Sequence, residues 1–231
     1  MMRDTRQEET IKVLTSLWKK LFISSLRLKK YLDLGCGDGS FTLRIGDVLG
    51  VEEIYGVDIN DELLAKASMR GIRVYKANLN TDKLPFADNE FDVVGAFEVI
   101  EHLWNTDNMI SEVHRVLKQG GLFILTTPNL ASWVNRLLLL FGYLPFHYEC
   151  SIKYSLEKRP LQRTTGVSGH IRLYTFKTLE KHLESYGFRI LYSTGYSMAY
   201  IKSNFVTRLL DVLFSIRKTL RAGILIIAVK K

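Results

Sequence analysis

Apolar residues recur at three- and four-residue spacing early in the chain, at Ile11, Leu14, Trp18, Leu21 and Phe22, with Lys12, Lys19 and Lys20 between them. That period predicts an amphipathic helix over about 8–28, flanking whatever core follows. The pattern then changes. Short apolar runs at 31–34, 54–57, 74–77, 91–97 and 122–125 alternate with helical segments near 40–49, 61–70 and 107–118. Buried strands separated by helices predict a parallel sheet covered on both faces. The regularity stops at Pro128, and residues 129–169 mix apolar residues with Gly, Pro, Ser, Lys and Arg, as an insertion would. Thr175 then caps a helix whose Phe176, Leu179, Leu183 and Tyr186 share a face, and Gly187 supplies its left-handed stop. A strand over 189–195, an amphipathic helix around 205–220 and a strongly strand-like Gly223–Val229 complete the chain. No internal repeat is visible.

The sharpest local signal is Asp33-Leu34-Gly35-Cys36-Gly37-Asp38-Gly39-Ser40, where glycines alternate between the first strand and the first helix of the repeating part. Glycine permits a tight turn and lets a ligand approach the backbone. The third glycine comes one residue earlier than in the Gly-x-Gly-x-x-Gly loop of dinucleotide folds, which disfavours a pyrophosphate cradle and a nicotinamide dehydrogenase. Asp58 ends the second strand, where a carboxylate can accept hydrogen bonds from two ribose hydroxyls. The alternative is that the glycines only turn the chain and Asp58 only caps the next helix.

These residues resemble the class I S-adenosylmethionine-dependent methyltransferases. The likeness continues through Asn78-Leu79, Phe91-Asp92-Val93-Val94 and Phe97-Glu98-Val99-Ile100-Glu101-His102-Leu103, the last being similar to a segment of the ubiquinone/menaquinone-biosynthesis-like branch. His114 to Gly121 and Phe123 to Asn129 extend it, so that specific motifs cover 31–129 and looser ones 170–195. The resemblance implies a Rossmann-like α/β three-layer sandwich with a seven-stranded sheet in the order 3-2-1-4-5-7-6, mostly parallel, its last strand antiparallel. It implies S-adenosylmethionine as cofactor, held by Asp33, Gly35, Cys36, Gly37, Gly39, Asp58, Ile59, Asn78, Leu79, Phe97 and Glu98. Asn78 stands where the family places an acidic residue, so its carbonyl would accept from adenine without charge. One domain over 1–231 is expected: a helical lid (1–30), a donor-binding core (31–129), a substrate-lid insertion (130–169) and a C-terminal part of the sheet (170–231).

Methyl transfer is an in-line displacement in which orientation carries much of the rate, and a hydroxyl acceptor also profits from a general base. His102 and His170 are the candidates, with His114 expected at the surface. In an extended Gly169–Tyr174, His170, Arg172 and Tyr174 fall on one face to meet substrate, while Ile171 and Leu173 anchor the segment. Glu98, Glu101 and His102 could converge on a divalent metal, although no metal is expected; Glu101 could equally cap the helix beginning near Asn105. No Asn/Asp-Pro-Pro-aromatic segment follows the fourth strand and neither cysteine sits as a pyrimidine-attacking nucleophile would, which leaves a small-molecule oxygen, nitrogen or carbon acceptor; of these, O-methylation is the expectation.

Charge sharpens this picture. The net +8 divides into −3 over residues 1–130, with 16 basic and 19 acidic groups, and +11 over 131–231, with 16 basic and 5 acidic. Trp133, Leu137–Phe141, Tyr143, Leu144 and Phe146 are flanked by Arg136, Lys153, Lys158, Arg159 and Arg163. The helix bearing Phe205, Leu209, Leu210, Val212, Leu213 and Ile216 carries Arg208, Arg217, Lys218 and Arg221. Residues 131–163 and 205–221 are therefore expected to contact a membrane surface or cover an anionic or amphiphilic acceptor. Ordinary lid and core helices are the plainer reading, and an RNA methyltransferase or a non-catalytic donor-binding module are the other functions held open. Two cysteines fit a reducing compartment, the first ten residues lack the apolar core of an export signal, and the Leu137–Phe146 stretch is too short to span a bilayer. A cytoplasmic protein is expected, with a membrane-peripheral location as the variant that the second part's chemistry allows.

Overall fold

The computed structural model describes residues 2–20, 27–151, 153–158, 160, 167–197, 205–214 and 216–231. Strands β1 (Lys30–Leu34), β2 (Glu53–Asp58), β3 (Arg73–Lys76), β4 (Phe91–Phe97), β5 (Leu117–Pro128), β6 (Phe188–Tyr196) and β7 (Gly223–Lys230) form one sheet. Its order is β3-β2-β1-β4-β5-β7-β6. Pairs from β3 to β5 are parallel, whereas β7 runs antiparallel to both β5 and β6. Order and direction are those expected from the sequence.

The pleat separates two cores. Leu32 and Leu34 of β1, Val94 and Ala96 of β4, and Ile224, Ile226 and Ala228 of β7 face one layer, closed by Met109, Ile110 and Val113 of α4 (Thr106–Val116) and by Leu179 and Leu183 of α6 (Phe176–Ser185). The intervening Tyr31, Val93, Leu225, Ile227 and Val229 face the other, with Leu14 and Trp18 of α1 (Met2–Lys20) and Ile45 and Leu49 of α2 (Ser40–Leu49). Strands buried on both faces read as continuous apolar runs, and each buried aliphatic side chain contributes roughly 1.5–3 kcal/mol. The N-terminal helix is thus a wall of the core as well as a flank. Helix α3 (Asp61–Met69) begins at Asn60, whose side chain accepts from the Glu62 and Leu63 amides.

Several boundaries move. Helix α1 starts at Met2, and Leu21 and Phe22 of the expected 8–28 helix lie outside the described residues. Strand β5 begins at Leu117, because Leu117 already pairs with Phe91 of β4; after an irregularity between Phe91 and Val93 the ladder resumes at Leu122. The helix expected over 205–220 splits into α7 (Phe205–Phe214) and a 3₁₀ turn, Lys218–Leu220. Thr175 does cap α6, in a reciprocal box with Thr178, and Gly187 follows it at φ +85°. His114 is not a surface residue: it is half-buried, its ring edge-on to Phe188 at 5.3 Å, and burial lowers its pKa.

Candidate functional site

A cleft of about 720 Å³ opens at the carboxyl ends of β1, β2 and β4, where the strand order reverses between β1 and β4. Crevices at such switch points are where open α/β sheets bind ligands. Asp33, Gly35, Cys36, Gly37, Asp58, Phe97, Glu98, His102 and His170 all line it.

The three loop glycines have different reasons for being glycine. All have positive φ, at +73°, +55° and +78° for Gly35, Gly37 and Gly39. A Cβ on Gly35 would lie 2.6 Å from Val99 Cγ2, and one on Gly39 would lie 2.5 Å from Ile72 Cδ1. Those two let the loop pack. A Cβ on Gly37 would meet nothing within 4 Å, so there the backbone faces the open cleft. The Gly37 amide donates to Asp58 Oδ2 at 2.9 Å and the Asn60 amide to Oδ1 at 3.0 Å. Asp58 stays partly exposed, and a carboxylate's roughly four acceptor sites leave it able to take further hydroxyl donors.

Asp33 is buried beneath the loop and accepts from Thr42 Oγ1 at 2.5 Å. Burial pushes its pKa up to about 7 against the Thr42 hydrogen bond, and Asp58 adds to the rise. The Cys36 thiol is pushed up to about 12 by burial, with Asp33 and Asp58 adding to it, which makes it an inert wall of the cleft. Phe97 packs edge-on against Phe41 at 5.2 Å.

Glu98 stands in the left-handed region at φ +57°, a conformation that costs roughly 1–2 kcal/mol for a residue with a side chain. Three bonds hold it: its amide donates to Thr126 O (3.1 Å), Arg6 Nη1 donates to Oε2 (2.7 Å) and the Tyr196 hydroxyl donates to Oε1 (2.5 Å). Arg6 went unnoticed in the sequence. It lies on the α1 stripe that runs through the buried Thr10 and Leu14, and extending that stripe back by one turn would have found it. Ile59 is exposed, Asn78 accepts from Asn80 through its side-chain carbonyl and Leu79 sits in the core; none of the three lines the cleft.

From the segment 167–174, Val167, Ser168 and His170 add to the lining. The amides of Ile171 and Arg172 donate to Glu101 O, at 2.9 and 3.1 Å. His102 Nδ1 lies 3.1 Å from Gly169 O, and the His102 and His170 rings are 4.6 Å apart. The expected alternation fails beyond His170. Ile171 is exposed rather than anchoring, Tyr174 is buried in the core, and Arg172 donates to Leu103 O (3.1 Å) and Trp104 O, pinning that loop; neither Arg172 nor Tyr174 lines the cleft. The segment is not a free strand: besides its bonds to Glu101 it forms one isolated bridge, Asn129 to Tyr174.

Glu101 does not cap a helix. Asn105 does so by accepting from the Asn108 amide, while the fully buried Glu101 accepts from Thr127 Oγ1 at 3.0 Å and leaves Oε1 without a hydrogen-bond partner. Burial, then the Glu98 charge, holds its pKa well above the usual carboxylate range. His170 Nε2 is 4.0 Å from that Oε1, and burial pushes the His170 pKa down to about 4. One ligand atom each from Glu101, His102 and His170 lies within 4.8 Å of the others, a set able to hold a divalent cation. Glu98, which the sequence grouped with them, is turned to Arg6 and Tyr196 instead. Among the described residues, no Lys or Arg from 131–231 lines the cleft; its cations are Arg6 and Lys66. Arg159 and Arg163, two of the cations expected there, lie outside the described residues.

Residues 32–125 match the methyltransferase domain family. A probable S-adenosylmethionine-dependent methyltransferase of Mycolicibacterium smegmatis is 40% identical over 98 residues, which make up 42% of this chain and 37% of that protein. A demethylmenaquinone methyltransferase of Geobacillus stearothermophilus is 28% identical over 140 residues, 57% of each chain. The chain thus spans little more than a third of the first relative and somewhat over half of the second. In fold, a SAM-dependent methyltransferase from Archaeoglobus fulgidus superposes with a TM-score of 0.61 at 19% identity, covering 95% of this chain and 94% of that one. With the sheet order, the loop and Asp58 already in place, the sequence likenesses show that residues 32–125 carry a methyltransferase domain of the S-adenosylmethionine-dependent kind.

Proposed function

We propose that the protein transfers a methyl group from S-adenosylmethionine to a small amphiphilic metabolite, with oxygen as the acceptor atom. The observation that carries this reading is the convergence, on one cleft, of the Gly37–Asp58 wall and the His102–His170 wall. The cleft volume lies in the range of small-molecule sites, roughly 300–1,000 Å³. In this reading Asp58 accepts from the donor's ribose hydroxyls and Glu98, beside Arg6 and Tyr196, receives its ammonium group. A sulfonium donor arrives activated, so the protein's task is to align sulfur, methyl carbon and acceptor. The acceptor oxygen forms a bond to the methyl carbon as the sulfur–methyl bond breaks, its electron pair returning to sulfur.

His102 suits the base. A carbonyl can only accept, so Gly169 O fixes the proton of neutral His102 on Nδ1 and its lone pair on Nε2. Nε2 takes the acceptor's hydroxyl proton. His170, kept neutral at pH 7 by its low pKa, packs beside His102 without opposing the positive charge that develops. Among the described residues the cations lining the cleft are Arg6 and Lys66, few for a polyanion such as RNA, which favours an amphiphilic acceptor.

The test uses the protein with methyl-labelled donor and cell extract, separated into aqueous metabolites, lipids and RNA. Label is expected in a small molecule, reduced roughly 10²- to 10⁴-fold by His102→Gln, with S-adenosylhomocysteine affinity unchanged. Label in RNA overturns the acceptor class; full turnover by His102→Gln removes the base.

A further inference from the structure

Helices α5 (Trp133–Leu140) and α7 are packed together away from the main cores. Trp133 stacks on Phe214 with ring centres 5.3 Å apart, and its indole N–H donates to Asp211 Oδ1 at 3.2 Å. Trp133, Val134, Leu138, Phe146 and Ala222 form a small apolar cluster, with Leu210 and Leu220 against it. These side chains meet the packing needs of both helices. Yet other apolar residues on the two helices and just after them are exposed: Leu140 is 74% exposed and Val212 70%, with Leu139 and Leu213 also more than half exposed, and Phe141 and Ile216, which follow α5 and α7, are 72% and 81% exposed. Most of the exposed large apolar side chains among the described residues lie between 137 and 216. Such a concentration marks an interaction surface rather than the usual scatter.

Charge selects the occupant. Four of the five acidic residues of 131–231 are engaged within the fold: Glu149 accepts from Ser168 and Gly169, Glu157 from Leu144, Glu180 pairs with Lys218, and Asp211 holds Trp133 and Ser197. Arg136, Lys153, Lys158 and Arg217 stand at the exposed surface. Arg221 is turned inward to Gly195 O, and Arg159 and Arg163 lie outside the described residues. Aliphatic tips among cations match a surface that is hydrocarbon within and anionic at its boundary. A second copy of the same face would oppose like charges, and Leu139, Leu140, Val212, Leu213 and Ile216 are aliphatic, so that RNA bases would find little beyond Phe141 to stack on.

We propose that the outer face of α5 and α7 docks the protein onto an anionic lipid bilayer, by inserting Leu140, Phe141, Val212 and Ile216 among the acyl chains while the neighbouring cations meet the headgroups. No helix among the described residues is long and apolar enough to cross a membrane, so this contact is interfacial. It does not depend on the methyl donor or on the reading of the cleft.

The experiment is co-sedimentation of the full chain with phosphatidylcholine vesicles, with and without phosphatidylglycerol. Binding is expected to the anionic vesicles, about tenfold or more weaker to the neutral ones, and to decline with salt as screening sets in. Leu140→Ser with Phe141→Ser, or Val212→Ser with Ile216→Ser, should each lower anionic-vesicle binding about tenfold or more. Arg136→Gln with Arg217→Gln should also weaken it, by a smaller factor. All six positions are exposed, and circular dichroism melts of the variants should match the wild type. No sedimentation with anionic vesicles, equal binding to both compositions, or indifference to the apolar pairs overturns the proposal. So does a concentration-dependent dimer that the apolar substitutions abolish, which would assign the face to a second copy.

Discussion

Replacing Asp33 by Asn tests the electrostatics of the loop's foundation. Asp33 is buried and its pKa rises from 3.8 to about 7. Between these values the native chain holds a proton that the unfolded chain has released, so stability falls as pH rises through about 7. At about 1.4 kcal/mol per pKa unit, the group's contribution is about 2.6 kcal/mol smaller at pH 8 than at pH 5. Asparagine can still accept from Thr42 through its carbonyl but cannot ionise. His170, with its pKa lowered to about 4, has the opposite sign: its native form holds fewer protons than the unfolded one, and its contribution grows as pH rises through the ordinary histidine range. Comparing wild type with Asp33→Asn at each pH removes that background. Urea unfolding of both proteins at pH 5 and pH 8 should show the variant gaining about 2–3 kcal/mol on the wild type between the two. A gap between the two proteins that stays the same at both pH values would refute a strongly raised Asp33.

Gly39→Ala places a Cβ 2.5 Å from Ile72 Cδ1 and 3.0 Å from Ala67 Cβ, at φ +78°; together these should cost about 2–4 kcal/mol in urea unfolding, and a loss below about 0.5 kcal/mol would contradict the packing described. Arg6→Ala removes one of the two side-chain partners of Glu98 and should cost about 1–3 kcal/mol while weakening S-adenosylhomocysteine binding; no change in either would make the Arg6–Glu98 pair ornamental.

The central sheet was legible because its strands are buried on both faces and the helices between them carry a clear period. The glycine loop was legible too, since strand, turn chemistry and helix follow one another without a gap. Residues 169–174 were misread for a specific physical reason. Period-two alternation decides which side chains point together only when a strand has neighbours along its length, and this segment is held by Glu101 O on one side and a single bridge at Tyr174. Its side chains follow those anchors, so Ile171 turns out and Tyr174 turns in. Glu101 was missed as a buried acid because glutamate beside a helix start ordinarily reads as a cap, and nothing local announces the Thr127 hydroxyl that receives it. The Glu98 ion pair spans 92 positions, a separation that no local pattern encodes. The net charge of the second part was legible in sequence, but its aim was not: among the described residues Arg136, Lys153, Lys158 and Arg217 stand at the exposed surface, whereas the cleft draws Val167, Ser168 and His170 from that half.

Equilibrium binding of S-adenosylhomocysteine by calorimetry, to the wild type and to Asp58→Ala, tests the donor cleft most directly. One site per chain is expected, with affinity falling at least about tenfold when the carboxylate that would receive the ribose hydroxyls is removed. Undetectable binding to the wild type, or equal affinity in the two proteins, would contradict the assignment of this cleft to the methyl donor.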